Sequence, residues 1–401
     1  MIKKTALIIL ILAIISPTVL VMADDITTKK APTPTVEATA AILMDAETGR
    51  VLWGKNPHQP MAMASTTKIM TAILAIESGR LDETVTVSKK AAAAPKVKMN
   101  LSAGEKIRLG DLMLALMLES SNDAAVAVAE HLAGTVENFC FQMTQKAQAL
   151  GANHTIFETP SGLDAGDHHS TAYDLAIITR YALTVPGFLE LTNTASANFS
   201  SDKRSYSMNN KNRLLREFPG ANGVKTGFTG KAGHCFVGAA KQNNMQLISV
   251  VLASGWGDKG REQKWRDTKE ILTYGFGNYE YETIIIADAL AGEVPVTRSR
   301  SQSVEFVFAE GIKIPLNPDE KAAISVELYI PESIQAPVEA GQLVGSARVF
   351  INEDFYCDVM LTSSETATRH DFKTSLEKVL NGLFQQLTNE PVNVTIPELG
   401  I

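Results

Sequence analysis

Met63-Ala-Ser-Thr-Thr-Lys-Ile-Met-Thr-Ala-Ile-Leu-Ala-Ile-Glu-Ser78 sets how the rest of the chain is read. Alanine, leucine, methionine and isoleucine fill these positions, and Gly79 follows where a helix would stop. The composition predicts a largely apolar, buried helix with Ser65 and Lys68 in its first turn. Residues three apart share one helical face, so the Ser65 hydroxyl and the Lys68 amine can meet. A serine hydroxyl is a weak nucleophile until a neighbouring base takes its proton. Lysine can be that base only when neutral, a state that burial and a second nearby cation both favour. Ser65 is therefore expected to be a nucleophile and Lys68 its base. Ser-x-x-Lys also occurs at Ser200–Lys203 and Ser375–Lys378, and a lone match more often marks a capped helix start. The apolar helix and the downstream motifs set the first match apart.

The 401 residues can hold two domains or one large one, and 45% hydrophobic with 20% charged is ordinary for a globular protein. A net charge of −7 leaves no basic footprint for nucleic acid. At the N-terminus Lys3 and Lys4 precede an apolar run from Ala6 to Met22, with Val21-Met-Ala23 before Asp24. That is the three-part pattern of a secretory signal peptide, so residues 1–23 are expected to be cleaved and the mature protein exported. An uncleaved anchor is the alternative, because the run approaches the length that spans a bilayer. Three widely spaced cysteines (Cys140, Cys235, Cys357) do not make a disulfide framework. Cys235, in an apolar strand, reads as a small core residue.

Residues 24–37 are polar, carry Pro32 and Pro34, and read as a linker. Ala41 to Asp45 and Arg50 to Gly54 flank a turn and form a hairpin signal. A helical stretch from Leu109 to Glu119 halts at Ser120-Ser-Asn-Asp123, and a new helix is expected from Ala124 to Leu132. Ser120 and Asn122 can point into a cleft from such a corner. These residue types also favour caps, and Ser-x-Asn recurs at Ser196–Asn198 and Ser207–Asn209. Further helices are expected at Phe139–Leu150, Leu175–Leu183 and Trp265–Tyr274. His168 and His169, near Asp164 and Asp167, invite a metal hypothesis; without helical spacing or a third strong ligand it is set aside, and no metal or cofactor is expected. Gly223-Val-Lys-Thr-Gly227 precedes apolar strands at Cys235–Ala240 and Leu247–Ala253. On an edge strand Lys225 supplies a cation, Thr226 a hydroxyl, and Gly227 lets a ligand approach the backbone; a solvated turn is the plain alternative. Past Tyr281 short strands and proline-bearing turns replace helices, which places a boundary near 280 and predicts a small all-β sandwich over 281–365. Within 366–401, Leu376, Val379, Leu380, Leu383, Phe384 and Leu387 share one helical face that can pack on protein or lie at a membrane surface. Residues 363–401 carry three basic against five acidic residues, fewer cations than such anchors usually have.

Ser65-x-x-Lys68, Ser120-x-Asn122 and Lys225-Thr-Gly227 occur in the order of the signature set of serine penicillin-binding proteins and class A β-lactamases. Residues 38–280 closely resemble the D-alanyl-D-alanine carboxypeptidases, the low-molecular-mass penicillin-binding proteins that trim peptidoglycan. The likeness also rests on Ala41-Ile-Leu-Met-Asp45, Ser65-Thr-Thr-Lys-Ile-Met-Thr71, Thr159-Pro-Ser-Gly-Leu-Asp164, Gly223-Val-Lys-Thr-Gly-Phe-Thr229 and Ala232-Gly-His-Cys235. Residues 281–388 resemble the family's β domain and terminal amphipathic helix. The resemblance implies an α+β, transpeptidase/β-lactamase-like domain with an antiparallel five-stranded sheet and helices on both faces. It implies that Ser65 attacks the carbonyl between two D-alanines of a peptidoglycan pentapeptide, and that Lys68 takes its proton. Ser120 would relay a proton to the leaving amine, and Asn122 would hold the substrate and orient Lys68. Lys225 and Thr226 would bind the terminal carboxylate beside Gly227, with Arg261 a further candidate. Backbone N–H groups of Ser65 and Phe228 would form the oxyanion hole. β-Lactams would acylate the same serine, and the terminal helix would rest on the outer face of the cytoplasmic membrane.

Two departures stand out: Ser121 occupies a position that is aspartate in the signature, and Phe228 one where some relatives have histidine. A β-lactamase would share the triple but needs a glutamate base for fast deacylation, and neither Glu158 nor Glu190 sits in the Glu-x-x-Leu-Asn setting. A non-catalytic peptidoglycan-binding protein would not need Ser65, Lys68 and Lys225 intact. Endopeptidase activity on cross-links would use the same residues.

Overall fold

The structure of the protein, a computed structural model, describes residues 31–370 and 372–388. The expected signal peptide, the start of the linker and the tail beyond 388 lie outside the described residues. The chain divides into two compact units, with the division between Glu280 and Tyr281.

In the unit up to Glu280 the principal elements are β1 (Ala40–Asp45), β2 (Val51–Lys55), α1 (Lys68–Glu77), α2 (Leu109–Leu118), α3 (Asn122–Ala133), α4 (Val136–Ala149), α5 (Ala172–Ala182), β3 (Ala221–Thr229), β4 (Gly233–Gln242), β5 (Met245–Leu252) and α6 (Gly257–Asn278). The five strands form one antiparallel sheet in the order β2-β1-β5-β4-β3. The β1–β2 hairpin is the one its sequence signals, and Asp45 fixes its turn by accepting from the Thr48 N–H at 2.8 Å.

Every residue of β1 is buried, as a continuous apolar strand covered on both faces must be. Ile42 and Met44 join the large core formed with α1 to α5. Leu43 points the other way, onto α6, where only a glycine fits: a Cβ on Gly275 would lie 2.8 Å from a Leu43 methyl. The sheet thus carries helices on both faces. α1 is the central element of the larger core and buries Ile69, Met70, Ala72, Ile73 and Ala75. Each large aliphatic side chain so buried contributes about 1.5–3 kcal/mol. Gly79, at φ +67°, ends it as expected.

Two expectations need correction. α3 begins at Asn122 rather than Ala124, because Ser121, not Asp123, takes the extended N-cap conformation. α6 runs for 22 residues, far beyond Trp265–Tyr274. Its apolar signal is confined to the residues that meet the sheet, and its first two turns are charged. A further hairpin joins Ser196–Ser200 to Ser205–Asn209, and its serine-rich strands carry little of the apolar alternation that signals a strand.

The second unit holds a six-stranded sheet in the order Ile324–Tyr329, Leu343–Ile351, Asp354–Ser363, Ser303–Phe308, Leu290–Thr297, Ile334–Gln335, and a pair of Glu280–Ile285 with Ile312–Leu316. Its core contains Val294, Phe306, Val349, Val359 and Leu361. One short helix, Pro318–Ala322, interrupts the strands; Asn317 and Glu320 close a capping box at its start, a signal the proline-rich texture obscured. The terminal helix spans Phe372–Thr388, with Leu376, Val379, Leu383 and Phe384 exposed. No helix among the described residues is long and apolar enough to cross a membrane.

Candidate active site

Ser65 lies not in the α-helix itself but in a tight 3-10 turn, Ala64–Thr67, that leads into α1 at Lys68. The turn starts from Ala64 at φ +49°, a left-handed conformation that costs a residue with a side chain about 1–2 kcal/mol. Such strain survives only where the surroundings over-determine it, and here they do. The Thr66 hydroxyl donates to the Met63 carbonyl at 2.6 Å and the Thr67 hydroxyl to the Ala64 carbonyl at 2.8 Å. From outside, Gly162 presses on the same peptide: a Cβ there would lie 1.9 Å from the Ala64 carbonyl oxygen.

Lys68 is fully buried, and its Nζ has three partners: Ser65 Oγ at 3.0 Å, Asn122 Oδ1 at 2.9 Å and the Ser161 carbonyl at 2.5 Å. The Ser65 hydroxyl also reaches the Ser161 carbonyl, at 3.2 Å. Asn122 opens α3, and its Nδ2 donates to the Pro95 carbonyl at 3.2 Å, which fixes Oδ1 toward Lys68. Next to it, buried Asp123 accepts from the N–H groups of Met99 and Leu101 and so ties the 95–101 loop to the helix start. Burial pushes the Lys68 pKa well below that of a free lysine, and the Lys225 cation pushes the same way; Asp123 opposes them.

Lys225 is buried at the open edge of the sheet on β3, and its Nζ donates to the Thr226 carbonyl at 2.9 Å. Burial, with the Lys264 cation behind it, lowers its pKa to about 7. Lys264, on α6, is itself buried, 4.9 Å from the centre of the Trp265 ring. Gly227 permits β3 to approach the serine turn, because a Cβ there would stand 3.0 Å from the Ser65 nitrogen. Across the ladder from Phe228 stands His234, whose N–H and C=O are both engaged on its other side, by Gly255 and Ser254. Phe228 is therefore in a non-hydrogen-bonded pair, and its own N–H and C=O face outward from the sheet edge. The close approach at Gly227 thus brings the outward-facing edge at Phe228 beside the Ser65 turn.

Ser120 sits at the corner between α2 and α3 with φ +68°, half-buried, and its hydroxyl has no hydrogen-bond partner among the described residues. Arg261, near the start of α6, is exposed and pairs with Asp258 at 3.2 Å, and its charge reaches His234 and Lys264. The Ser161 carbonyl was not anticipated at all. His168 does not stand among metal ligands; its ring bonds Thr67 Oγ1 and the Glu158 N–H. Among the described residues no group of three or more His, Cys, Asp and Glu is placed to hold a metal.

A family model described as D-alanyl-D-alanine carboxypeptidase matches residues 26–255. The chain belongs to this family. A second model, described as the C-terminal domain of penicillin-binding protein 5, matches residues 279–369 of this carboxypeptidase. It is 31% identical over 352 residues to the D-alanyl-D-alanine carboxypeptidase DacF of Bacillus subtilis, an alignment covering 86% of this chain and 89% of DacF. To DacC of Escherichia coli it is 33% identical, covering 80% and 81%. Among solved structures, penicillin binding protein 5 from Haemophilus influenzae superposes with a TM-score of 0.71 at 28% identity, covering 84% of this chain and all of that one. The D-alanyl-D-alanine carboxypeptidase fold, with its five-stranded sheet and C-terminal β domain, is thus shared over most of the chain.

Proposed function

We propose that this D-alanyl-D-alanine carboxypeptidase works through an acyl-enzyme on Ser65. The carrying observation is the set of partners around Lys68 Nζ. A neutral amine has two hydrogens and one lone pair. Asn122 Oδ1 and the Ser161 carbonyl can only accept, so they take the two hydrogens, and the lone pair is left to face Ser65 Oγ. Ser65 Oγ then bonds to the carbonyl carbon of the penultimate D-alanine as its proton passes to Lys68. The peptide C–N bond breaks, and the proton goes to the leaving amine of the terminal D-alanine, with Ser120 as relay. Water cleaves the ester and restores the serine. The N–H groups of Ser65 and Phe228 hold the developing oxyanion, a donor of this kind being worth about 3 kcal/mol. Lys225 and Thr226 take the substrate's terminal carboxylate, with Gly227 keeping the strand close; Asn122 contacts the acyl part. Arg261, already paired with Asp258, is the weakest member of the binding set.

The same chemistry opens a β-lactam ring and leaves it on Ser65. We place the reaction in peptidoglycan remodelling outside the cytoplasm, consistent with the export signal at residues 1–23. The exposed apolar side chains of the Phe372–Thr388 helix would rest on the membrane surface, which vesicle co-sedimentation of wild type and Leu383→Glu tests. The decisive experiment for the mechanism is mass spectrometry of penicillin-treated protein with peptide mapping. One adduct, on Ser65, is expected; an adduct elsewhere, or none on folded protein, overturns the assignment.

A further inference from the structure

We infer that His168 is a positioning residue for Ser65, acting through the Thr67 hydroxyl on the strained peptide that precedes the nucleophile. The inference rests on the acyl-enzyme reading above. His168 is 3% exposed and lies in the 158–170 loop. Its Nδ1 accepts from the Glu158 backbone N–H at 3.0 Å. A backbone N–H can only donate, so Nδ1 carries no proton and the neutral ring must carry it on Nε2. Nε2 lies 2.8 Å from Thr67 Oγ1 and therefore donates to it. The Thr67 hydroxyl, acceptor on one side, donates on the other to the Ala64 carbonyl at 2.8 Å. The relay runs in one direction, from Glu158 N–H through the imidazole and the threonine hydroxyl, and ends on the residue at φ +49° beside Ser65.

The same loop touches the same peptide a second time. Gly162 packs on the Ala64 carbonyl, and Ser161, one residue earlier, offers the carbonyl that both Lys68 Nζ and Ser65 Oγ reach. His168 therefore fixes two things at once: the loop that presents Ser161, through Glu158, and the turn that presents Ser65, through Thr67. Burial supports the neutral form by lowering the ring's pKa to about 4; of the charged groups near it, Asp164 favours the proton, while His169, Lys231 and Lys68 oppose it. Phe157 covers the ring edge at 6.0 Å. This is a use for the buried histidine that requires no metal.

Two substitutions separate the halves of the relay. A glutamine amide can replace the Nε2–H donor to Thr67, whereas an asparagine carbonyl can replace only the Nδ1 acceptor for Glu158. The measurement is the penicillin acylation rate constant, resolved from the affinity of the initial non-covalent complex, together with the melting temperature. His168→Gln is expected to keep acylation within about 3-fold of wild type. His168→Asn is expected to slow it by about 10- to 100-fold with little change in initial affinity, the scale of a misplaced reacting group. Thr67→Val should cause a similar loss, and the Asn/Val double variant should lose no more than either single. Multiplying losses in the double variant, or an Asn variant as fast as the Gln variant, would overturn the relay. A wild type that never labels on Ser65 would instead overturn the acyl-enzyme reading itself.

Discussion

Gly162→Ala isolates the contact that holds the nucleophile's turn. The added methyl would lie 1.9 Å from the Ala64 carbonyl oxygen, 2.3 Å from its carbon and 2.8 Å from the Ser65 nitrogen. Ordinary contact begins near 3.4 Å, so the peptide before Ser65 must retreat by about 1.5 Å or the loop carrying Ser161 must lift by as much. Either movement breaks the register of Ser65, Lys68 and the Ser161 carbonyl. A misplacement of about 1 Å is enough to cost about 100-fold in rate, equivalent to about 2.7 kcal/mol of transition-state stabilisation. Position 162 also has φ +84°, which adds about 1–2 kcal/mol of backbone strain for alanine. Gly151 is the matched control: it has φ +88° with nothing within 4 Å of the new methyl. Gly151→Ala should therefore lower stability by about 1 kcal/mol and leave acylation unchanged, whereas Gly162→Ala should lower both. Thermal melts and the rate of labelling by a fluorescent penicillin separate the two costs. If Gly162→Ala is labelled within about 3-fold of the control, the close approach is not what positions Ser65.

Lys68→Ala should fold and yet acylate about 10²- to 10⁴-fold more slowly, the usual worth of a general base; undiminished labelling would remove lysine from that role. Lys225 has a folded pKa of about 7, below the free-lysine value, so its cation is lost as pH rises through 7. kcat/KM for a substrate with a free C-terminal carboxylate should therefore fall above pH 7, while in kcat, where bound carboxylate holds the proton on, the limb should move to higher pH. Lys225→Arg should abolish the limb, and a limb that persists there counts against this assignment. His168 has a folded pKa of about 4 against 6.5 for the free side chain, so its contribution to stability is complete above pH 6.5 and declines as pH falls toward 4. The full difference is about 3 kcal/mol, and urea titrations at pH 7 and pH 4 should show His168→Gln losing less stability than wild type over that interval.

Side-chain chemistry at short spacing was legible in the sequence, and backbone chemistry was not. Ser65 and Lys68 are three apart on an apolar segment, so their meeting follows from helical geometry even though the first turn is 3-10. The Lys225-Thr-Gly227 strand was legible because apolar strands follow it, and the ladder places it at the sheet edge. Ser161 acts through a carbonyl, which every residue possesses; the one available clue was the glycine after it. His168 was visible but prompted thoughts of a metal, since its real partners are a threonine 101 positions away and a backbone N–H. Helix ends were misplaced where polar turns face solvent and carry no periodic signal, as at the start of α6. The charged and apolar texture of the last 120 residues conveyed strands but concealed the short capped helix at Pro318–Ala322.

The buried amines of Lys68, Lys225 and Lys264 have one more consequence. None of them forms an ion pair with a carboxylate among the described residues; their partners are carbonyls, a hydroxyl and an aromatic ring. The fold gathers these amines without placing a carboxylate of the described residues in direct contact with any of them. Small monocarboxylates that reach Lys225, D-alanine among them, should consequently raise the protein's melting temperature and compete with substrate, giving the enzyme a built-in sensitivity to the acid it releases.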